Sequence, residues 1–425
     1  MLETAYLRNH PEEARKRLAK RHVNAEALLA EADRLDEQRR NTQNTLDAKL
    51  AEMNEQARSI GELMKAGKKE EAEAAKARSA ELKTGIAELK EALVAAETAL
   101  EHHLWTIPNV PQDRVPVGKT PEDNVVVMQH GDIPELGGDA KPHWELAEEY
   151  ELFSLEMGVK LTGAGFPVYI GQGARLERAL ISFFLDRATE AGYLEVIPPL
   201  MVNSDSAFAT GQLPDKEGQM YHATQDDLYL IPTAEVPITN LFRGDIVPAE
   251  ELPIKRVGYT PCFRREAGSY GKDVRGLNRV HQFDKVEIVR VERPENSNAA
   301  LEEMVGHVRG LLEALELPYR QLLLCGGDMG FTSAITYDME VWSAAQKRWL
   351  EVSSISNFET YQSNRLKLRY RGEDKKPHLA HTLNGSALAL ARIVAALLEN
   401  HQTSECIRVP KALQPYTGFA MIVKK

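Results

Sequence analysis

Apolar side chains recur every three or four positions through residues 25–104, a region without proline and with few glycines. This spacing places the apolar residues along one helix face, as in a coiled-coil seam. Two such segments are separated by residues 65–69 (KAGKK), where Gly67 can end one helix and allow the chain to reverse. The pattern predicts a long antiparallel helical hairpin with a basic tip. The seam positions are Leu28, Ala32, Leu35, Leu46, Leu50, Met53, Ala57, Ile60 and Met64, then Ala72, Ala75, Ser79, Leu82, Ile86, Leu89, Leu93, Ala96 and Leu100.

Beyond residue 125 the pattern changes to shorter helices that alternate with strand-like runs. A helical pattern at 174–191 leads into a glycine, a short apolar strand and two prolines, and residues 286–290 alternate apolar and charged positions. Residues 105–125 join the two patterns and contain several prolines, which cannot continue a helix. We therefore predict an α+β protein with a helical arm at 1–104 (coiled coil at about 25–104), a linker at 105–125 and a mixed domain at 126–425.

Composition narrows the class of protein. A length of 425 residues favours two domains, and the hydrophobic fraction of 43% suits a folded soluble protein. The chain has no apolar run long enough to span a bilayer, and its first residues lack a signal-peptide pattern. These features predict a cytoplasmic protein that does not enter a membrane.

Charge and cysteine content argue against a protein that binds nucleic acid through bulk positive charge and against a cysteine-ligated zinc protein. The net charge of −11 argues against binding nucleic acid through bulk positive potential, so RNA affinity would have to come from local basic clusters. The three cysteines, Cys262, Cys325 and Cys406, lie far apart and have no metal-ligand spacing. We therefore expect no zinc.

The most informative segment lies at residues 260–290. Strand-like residues end in Phe263-Arg264-Arg265-Glu266, a glycine-rich stretch with Gly268, Gly271 and Lys272 follows, and a second strand begins near Arg279. Guanidinium groups and carboxylates at the ends of paired strands suit a site for phosphates and a small cationic ligand. A surface hairpin with solvated charges is the simpler alternative, but its charges would cluster at the turn.

This segment resembles motif 2 of the class II aminoacyl-tRNA synthetases, in the form of the seryl-tRNA synthetase family. The matching string is Arg-x-Glu-Ala-Gly, then Arg-Gly-Leu-x-Arg-x-His-Gln-Phe-x-Lys-Val-Glu. Residues 174–199 resemble motif 1, and residues 382–395 resemble motif 3, in which Ala387 and Ala391 replace two usual glycines. The small residues of motif 3 are expected to lie in a helix that packs closely on the sheet and carries Arg392 to the nucleotide. The arm exit at 107–109 (IPN) and the end at 409–418 (VPKALQPYTG) resemble the family as well. A motif set of this length is specific.

The resemblance implies an ATP site. Arg264 is expected on the α-phosphate and the amino-acid carboxylate, Glu266 on the adenine amino group, and Arg279 on the terminal phosphates. The adenine would lie between Phe283 and Arg392. The catalytic residues implied are Arg264 and Arg392. The ATP-binding residues implied are Arg264, Arg265, Glu266, Arg279, Val280, Phe283, Glu351, Val352, Ser353, Ser354 and Arg392.

A serine site and a Mg²⁺ site are also implied. Thr233 and Glu235 are expected on the serine ammonium, and Glu287 with Ser386 on the hydroxyl, although the residues alone leave open which carboxylate does which. Thr233 or Glu235 could equally begin the following helix. Glu351 and Ser354 are the implied Mg²⁺ ligands, because hard oxygen donors suit that ion. The serine-binding residues implied are Thr233, Ala234, Glu235, Arg264, Glu287, Asn384 and Ser386.

The whole resemblance implies a homodimer, paired largely through motif 1, that forms seryl-adenylate from L-serine and ATP and transfers the seryl group to tRNA(Ser). It also implies a catalytic domain built on an antiparallel β-sheet flanked by helices, with the arm gripping the tRNA. A heptad hairpin could instead be a plain spacer or a dimerisation zipper. The alternative function is a non-catalytic, synthetase-like RNA-binding protein. Charging of tRNA(Sec), the arm residues that contact tRNA and the basis of threonine rejection are left open.

Overall fold

The computed structural model describes residues 1–137, 140–215, 218–266 and 275–424. The chain divides into two compact units, Met1–Pro108 and Asn109–Lys425. Gly268, Gly271 and Lys272 of the predicted glycine-rich stretch lie outside the described residues. The α+β architecture expected from the sequence is confirmed.

The helices are α1 Thr4–Asn9, α2 Pro11–Leu18, α3 Ala25–Lys65, α4 Lys69–Leu104, α5 His143–Glu149, α6 Leu155–Leu161, α7 Gly171–Glu190, α8 Ser204–Thr210, α9 Glu235–Asn240, α10 Ser297–Ala314, α11 Thr360–Leu366, α12 Leu390–Asn400 and α13 Gln414–Thr417.

The strands are β1 Val125–His130, β2 Phe153–Ser154, β3 Val168–Tyr169, β4 Leu194–Glu195, β5 Met201–Asn203, β6 His222–Ala223, β7 Leu228–Leu230, β8 Ile246–Pro248, β9 Ile254–Phe263, β10 Gln282–Glu292, β11 Tyr319–Leu323, β12 Ile335–Ser343, β13 Arg348–Glu359, β14 Arg369–Arg371, β15 Pro377–Leu379, β16 His381–Ala389, β17 Cys406–Arg408 and β18 Met421–Val423.

The first unit is dominated by the helical pair α3 and α4. Gly67 adopts φ +74° between them, which is the reversal that its position predicted. Near the open end His103 Nε2 lies 2.8 Å from Leu28 O, and nearer the tip Arg78 pairs with Glu52 at 3.2 Å, so the helices run antiparallel. Leu35, Leu46, Leu82, Ile86 and Leu100 are buried in the seam. The prediction fails at Ala57, which is exposed, and at Met64, which is 51% exposed; both lie on α3 towards the tip.

The second unit is built on a sheet whose strand order, within the described residues, is β1-β11-β12-β13-β16-β10-β9-β4. Neighbouring strands are antiparallel except for β4, which pairs in parallel with β9 at the edge. Helices α7, α10 and α12 bury their apolar faces in one core shared with the central strands. The central strands β13, β16 and β10 carry about half of the predicted site residues, and most of the others lie in the loops and helix starts next to these strands and β9.

Two stretches differ in structure from the sequence expectation. The small residues of motif 3, read as part of a helix, belong to strand β16, and helix α12 begins only at Leu390. The segment forms a strand because Gly385 pairs with Ile355 of β13 at a close approach, where an added Cβ would meet the Ile355 side chain at 2.9 Å. Part of the 105–125 stretch packs on the second unit, since Gln112 N bonds Ala334 O at 2.8 Å and Val115 is buried.

No helix within the described residues is both long and apolar enough to cross a membrane.

Candidate active site

Arg264 follows directly on strand β9 and is fixed by three contacts. Its backbone N donates to His281 O at 2.9 Å, which closes the base of the β9–β10 hairpin. Its Nε donates to Pro232 O at 3.3 Å. Its guanidinium carbon lies 5.3 Å from the centroid of the Phe283 ring. These contacts fix the position of the side chain. Its Nη atoms make no hydrogen bond among the described residues, so they are available to a ligand.

The two charged residues expected at either end of ATP lie together. Arg279 Nη1 pairs with Glu266 Oε2 at 2.6 Å, and Glu266 adopts a left-handed φ of 49°. Arg265 is exposed and is anchored by its backbone N to Gln219 O at 2.9 Å, whereas Val280 is buried. The hairpin thus presents an exposed, charged rim above an apolar base.

Arg392 connects the start of α12 to the hairpin and to β13. Its Nε donates to Asn278 O at 2.9 Å, and its Nη1 donates to Glu351 O at 2.6 Å. The Nη1 atom also lies 3.8 Å from Glu351 Oε2. In the sequence expectation Arg392 faces Phe283 across the adenine; in the structure the guanidinium over Phe283 is that of Arg264.

The predicted metal ligands lie on β13. Glu351 is exposed, and Ser354 pairs in register with Asp338 of the neighbouring strand. Asp338 Oδ1 is buried without a hydrogen-bond partner among the described residues. Burial, and then the charge of Glu351, raise the pKa of Asp338 well above its ordinary value. This concentration of oxygen donors fits a hard cation.

Protein groups do not by themselves complete a metal site here. Within the described ranges, no group of three or more His, Cys, Asp or Glu side chains is arranged to hold an ion. Mg²⁺ is ordinarily held by one or two carboxylates together with substrate phosphates and water, so a site for this ion does not require a larger cluster of protein ligands. Val352 is buried in the core, and Ser353 Oγ donates to Ser386 O at 2.6 Å, so neither side chain is directed at a ligand.

A buried polar pocket lies beneath Arg264. Lys285 Nζ is 2.7 Å from Thr233 Oγ1 and 2.5 Å from Glu287 Oε2. Ser386 Oγ donates to Glu287 Oε2 at 3.4 Å across the β10–β16 pairing. The Lys285 ammonium thus joins the loop residue Thr233 to Glu287, which is connected in turn to Ser386 on the neighbouring strand. Lys285 is not among the predicted site residues.

Glu235 begins helix α9 beside this pocket. Its backbone N donates to Thr233 Oγ1 at 3.2 Å, and its Oε1 accepts from Gln362 Nε2 at 2.6 Å. Burial, and then the charge of Glu287, raise the pKa of Glu235 to about 7, and Gln362, Lys285 and Asn384 offset only part of this rise. The buried Ala234 supplies the start of the helix, and its methyl leaves room for the polar neighbours.

Asn384 also belongs to this pocket. It lies on β16 opposite Val289, and its buried Nδ2 lies near enough to the Glu235 carboxyl to lower the pKa of that group, but it makes no hydrogen bond of normal geometry among the described residues. A buried donor without a partner is costly, and a ligand oxygen would satisfy it.

Lys285, Gln362 and Asp338 complete the site but are missing from the sequence prediction. Lys285 lies on the strand between Asp284 and Val286, where a lysine ordinarily reads as solvent-exposed. The available signal is the Lys-x-Glu spacing, which places both side chains on one face of the strand. Gln362 and Asp338 carry no local signal.

The comparisons with known proteins agree with this geometry. The family description "tRNA synthetase class II core domain (G, H, P, S and T)" matches residues 219–401, and "Seryl-tRNA synthetase N-terminal domain" matches residues 1–111. The antiparallel sheet with its three motifs, together with these matches, defines the second unit as a class II aminoacyl-tRNA synthetase domain.

Similar proteins narrow the class further. A serine–tRNA ligase of Salinibacter ruber is 57% identical over 329 residues, which cover 77% of each chain, and one of Chlorobium luteolum is 54% identical over 78% of each. The crystal structure of seryl-tRNA synthetase from Pyrococcus horikoshii complexed with ATP superimposes with a TM-score of 0.94 at 35% identity, covering all of both chains. The chain belongs to the seryl-tRNA synthetase family.

Proposed function

We propose that this protein is a serine–tRNA ligase that activates L-serine with ATP and transfers the seryl group to the 3′ end of tRNA(Ser). The observation that carries the proposal is the pocket of Thr233, Glu235, Glu287 and Ser386 directly beneath Arg264. It offers partners for an ammonium group, a hydroxyl and a carboxylate within one small space, and these are the polar groups of serine.

The chemistry requires no nucleophile from the protein. The serine carboxylate attacks the α-phosphorus of ATP, a new oxygen–phosphorus bond forms, and pyrophosphate leaves as the bridging bond breaks. The tRNA hydroxyl then attacks the seryl carbonyl, AMP leaves, and the adenylate's own phosphate oxygen takes the hydroxyl proton. Arg264 and Arg392 would hold the reacting groups and stabilise charge on the phosphate, which are positioning and electrostatic effects.

Charge within the pocket supports a division of roles between its two carboxylates. Glu287 is already paired with the buried ammonium of Lys285, whereas the Glu235 carboxylate accepts from the neutral Gln362 amide and forms no ion pair among the described residues. One negative charge is therefore left over once Glu235 is ionised. We assign the serine ammonium to Glu235 with Thr233, and the serine hydroxyl to Glu287 with Ser386.

ATP would occupy the hairpin between Arg264, Phe283 and Arg392. Glu266 and Arg279 would exchange their mutual ion pair for the adenine amino group and the terminal phosphates. Glu351 and Ser354 would hold Mg²⁺, which offsets charge on the phosphates when bound. The ATP complex of the Pyrococcus horikoshii relative supports a nucleotide in this fold.

Because the chain as a whole is acidic, with a net charge of −11, its tRNA contacts would have to come from local basic clusters. The helical arm, which has a basic tip, would supply such contacts. We also propose a cytoplasmic homodimer. Its support is the edge strand β4, beside which Ile197 is 89% exposed and Leu194 is 59% exposed, because apolar edge strands ordinarily need a cover.

The activity is tested by ATP–pyrophosphate exchange with each of the twenty amino acids in turn. The proposal predicts exchange with serine well above every other amino acid. Exchange with another amino acid instead of serine would show that the protein has a different amino-acid specificity. The absence of exchange in a folded, ATP-binding protein would favour the non-catalytic alternative.

The raised pKa of Glu235 gives a pH prediction. The carboxyl is neutral below its pKa of about 7, so the partner of the serine ammonium is lost as the pH falls. We expect kcat/KM for serine at saturating ATP to fall about tenfold per pH unit below pH ~7. The Glu235→Gln variant should be weakly active with a flat profile, and a wild-type profile that is flat down to pH 5.5 would contradict the assignment.

Glu287→Gln should raise the KM for serine about 10- to 100-fold, because it weakens a charge-assisted hydrogen bond to the hydroxyl and unpairs Lys285. The KM for ATP should change less than about threefold. The matched control is Glu292→Gln on the same strand, which removes one of the two carboxylate partners of the equally buried Arg290, the one at 3.1 Å, without touching the pocket; Glu303, at 2.6 Å, is the other. Equal losses for serine and ATP in Glu287→Gln would mean that Glu287 is structural.

A further inference from the structure

A fully buried histidine lies behind the nucleotide end of the site and is not among the residues expected there. His143 is the first residue of helix α5, and its side chain is completely excluded from solvent. Its ring Nδ1 lies 2.7 Å from Glu399 Oε1, and Leu277 N donates to its Nε2 at 2.8 Å. The imidazole therefore bridges α12 and the described end of the motif 2 loop.

The two contacts fix the tautomer of the ring. The backbone N–H of Leu277 can only donate, so Nε2 carries no hydrogen, and Nδ1 must then carry it and donate to Glu399. Burial would raise the pKa of Glu399, but hydrogen bonds from His143 and Ser343 outweigh it and lower that pKa below its ordinary value. Glu399 is thus an ionised acceptor, which agrees with the assignment of the ring proton.

A second connection runs from Glu399 to the same loop. Gln346 Nε2 donates to Glu399 Oε1 at 3.0 Å, and Asn278 Nδ2 donates to Gln346 Oε1 at 2.9 Å. The next side chain in sequence is Arg279, and the carbonyl of Asn278 accepts from Arg392 Nε at 2.9 Å. Leu277 and Asn278 are therefore held by hydrogen bonds to both backbone and side-chain atoms.

Helix α12 holds this segment at two points along one face. Arg392 and Glu399 are separated by about two turns and so project on the same side of the helix. Arg392 binds the Asn278 carbonyl directly, and Glu399 acts on Leu277 and Asn278 through His143 and Gln346. Gly276 fits this arrangement, since it adopts φ +63° and a Cβ there would lie 2.2 Å from His143 Nε2.

We propose that His143, fixed by Glu399, is a positioning residue for ATP: it accepts the Leu277 amide and thereby sets the backbone that carries Arg279 and the Asn278 carbonyl that orients Arg392. The inference rests on the function proposed above, in which Arg279 and Arg392 are phosphate and nucleotide ligands. His143 itself contacts no substrate. Serine, which binds among Thr233, Glu235 and Glu287, should not depend on it.

The two amide substitutions at this position separate its two hydrogen bonds. The amide nitrogen of asparagine overlays Nδ1 and keeps the donor to Glu399, but its side chain does not reach Leu277. The amide oxygen of glutamine reaches the place of Nε2 and keeps an acceptor for Leu277. His143→Asn should therefore weaken ATP binding about tenfold, because the buried Leu277 amide loses its hydrogen-bond acceptor. ATP binding by His143→Gln should stay within about threefold of wild type.

The test is the KM for ATP and for serine in pyrophosphate exchange, with ATP binding measured separately by calorimetry. The matched control is His401→Asn, a buried histidine whose Nε2 bonds a backbone carbonyl, Leu315 O, at 3.1 Å. The expected result is weaker ATP binding in His143→Asn alone, rescue in His143→Gln, and a serine KM within about threefold of wild type throughout.

Three results would overturn the proposal: unchanged ATP affinity in a folded His143→Asn, equal losses for serine and ATP, or the same ATP loss in His401→Asn. If His143→Asn does not fold, Gln346→Ala is the alternative variant, because it removes the connection from Glu399 to Asn278 at a less buried residue. It should weaken ATP binding about threefold, and unchanged ATP binding by this variant would also overturn the proposal. An inactive wild-type protein would instead count against the proposed function, and calorimetric ATP binding keeps the two failures distinguishable.

Discussion

Replacing Arg264 with alanine is expected to lower serine-dependent pyrophosphate exchange by about 10²–10³-fold while the protein stays folded. The side chain is fixed by Pro232 O and by the Phe283 ring, so its remaining donors are pre-oriented towards the expected α-phosphate and carboxylate. Alanine removes that positioning and the charge together. Because the guanidinium is partly exposed and belongs to no buried ion pair among the described residues, the cost in stability should be small.

The matched control is Arg256→Ala on the same strand. Arg256 also lies over an aromatic ring, that of Phe242 at 5.6 Å, and also bonds one backbone carbonyl, Lys255 O at 3.0 Å. It lies away from the proposed ligands, so exchange should stay within about threefold of wild type. Near-normal exchange by a folded Arg264→Ala protein would contradict the assignment of Arg264 to the active site.

A protein reduced to residues 109–425 should still form seryl-adenylate but should lose nearly all tRNA charging. The proposed ATP and serine ligands all lie in this unit, which has its own sheet and core. The α3–α4 seam is buried within the first unit, so removing that unit whole leaves no half-seam behind. Little diffuse attraction for RNA is expected from a chain whose net charge is −11.

Exchange and charging should be measured side by side on the truncated and intact proteins. Residues 1–108 added as a separate chain should not restore charging, because the covalent link supplies the effective concentration of the arm. Charging that survives truncation would make the arm a spacer. Loss of both activities in a folded protein would mean that the first unit supports the catalytic site.

The parts of the fold that follow from local pattern were predictable from the sequence. The seam positions Leu35, Leu82 and Ile86 are buried as their spacing predicts, and the reversal occurs at Gly67. The hairpin arms of motif 2 could be placed because apolar and charged residues alternate along them. The paired strands then bring Arg264 and Phe283 together by register alone.

Long-range contacts between buried polar groups could not be predicted in this way. His143 and Glu399 lie 256 positions apart and meet through two hydrogen bonds to Glu399 Oε1, one from the His143 ring and one from its backbone N. Lys285 is buried because Glu287 and Thr233 neutralise and bond its ammonium, a condition that depends on a distant loop. The strand at 382–389 does not follow from the sequence, because small residues pack as closely in a strand beside Ile355 as they do in a helix.

The most direct test of the central claim is charging of tRNA by the intact protein with ATP, Mg²⁺ and labelled serine. The account predicts that seryl-tRNA accumulates with tRNA(Ser) and does not form with tRNA(Ala) under the same conditions. It also predicts that labelled alanine and threonine give no comparable product on tRNA(Ser). Failure to charge tRNA(Ser) with serine, by a folded protein that binds ATP, would contradict it.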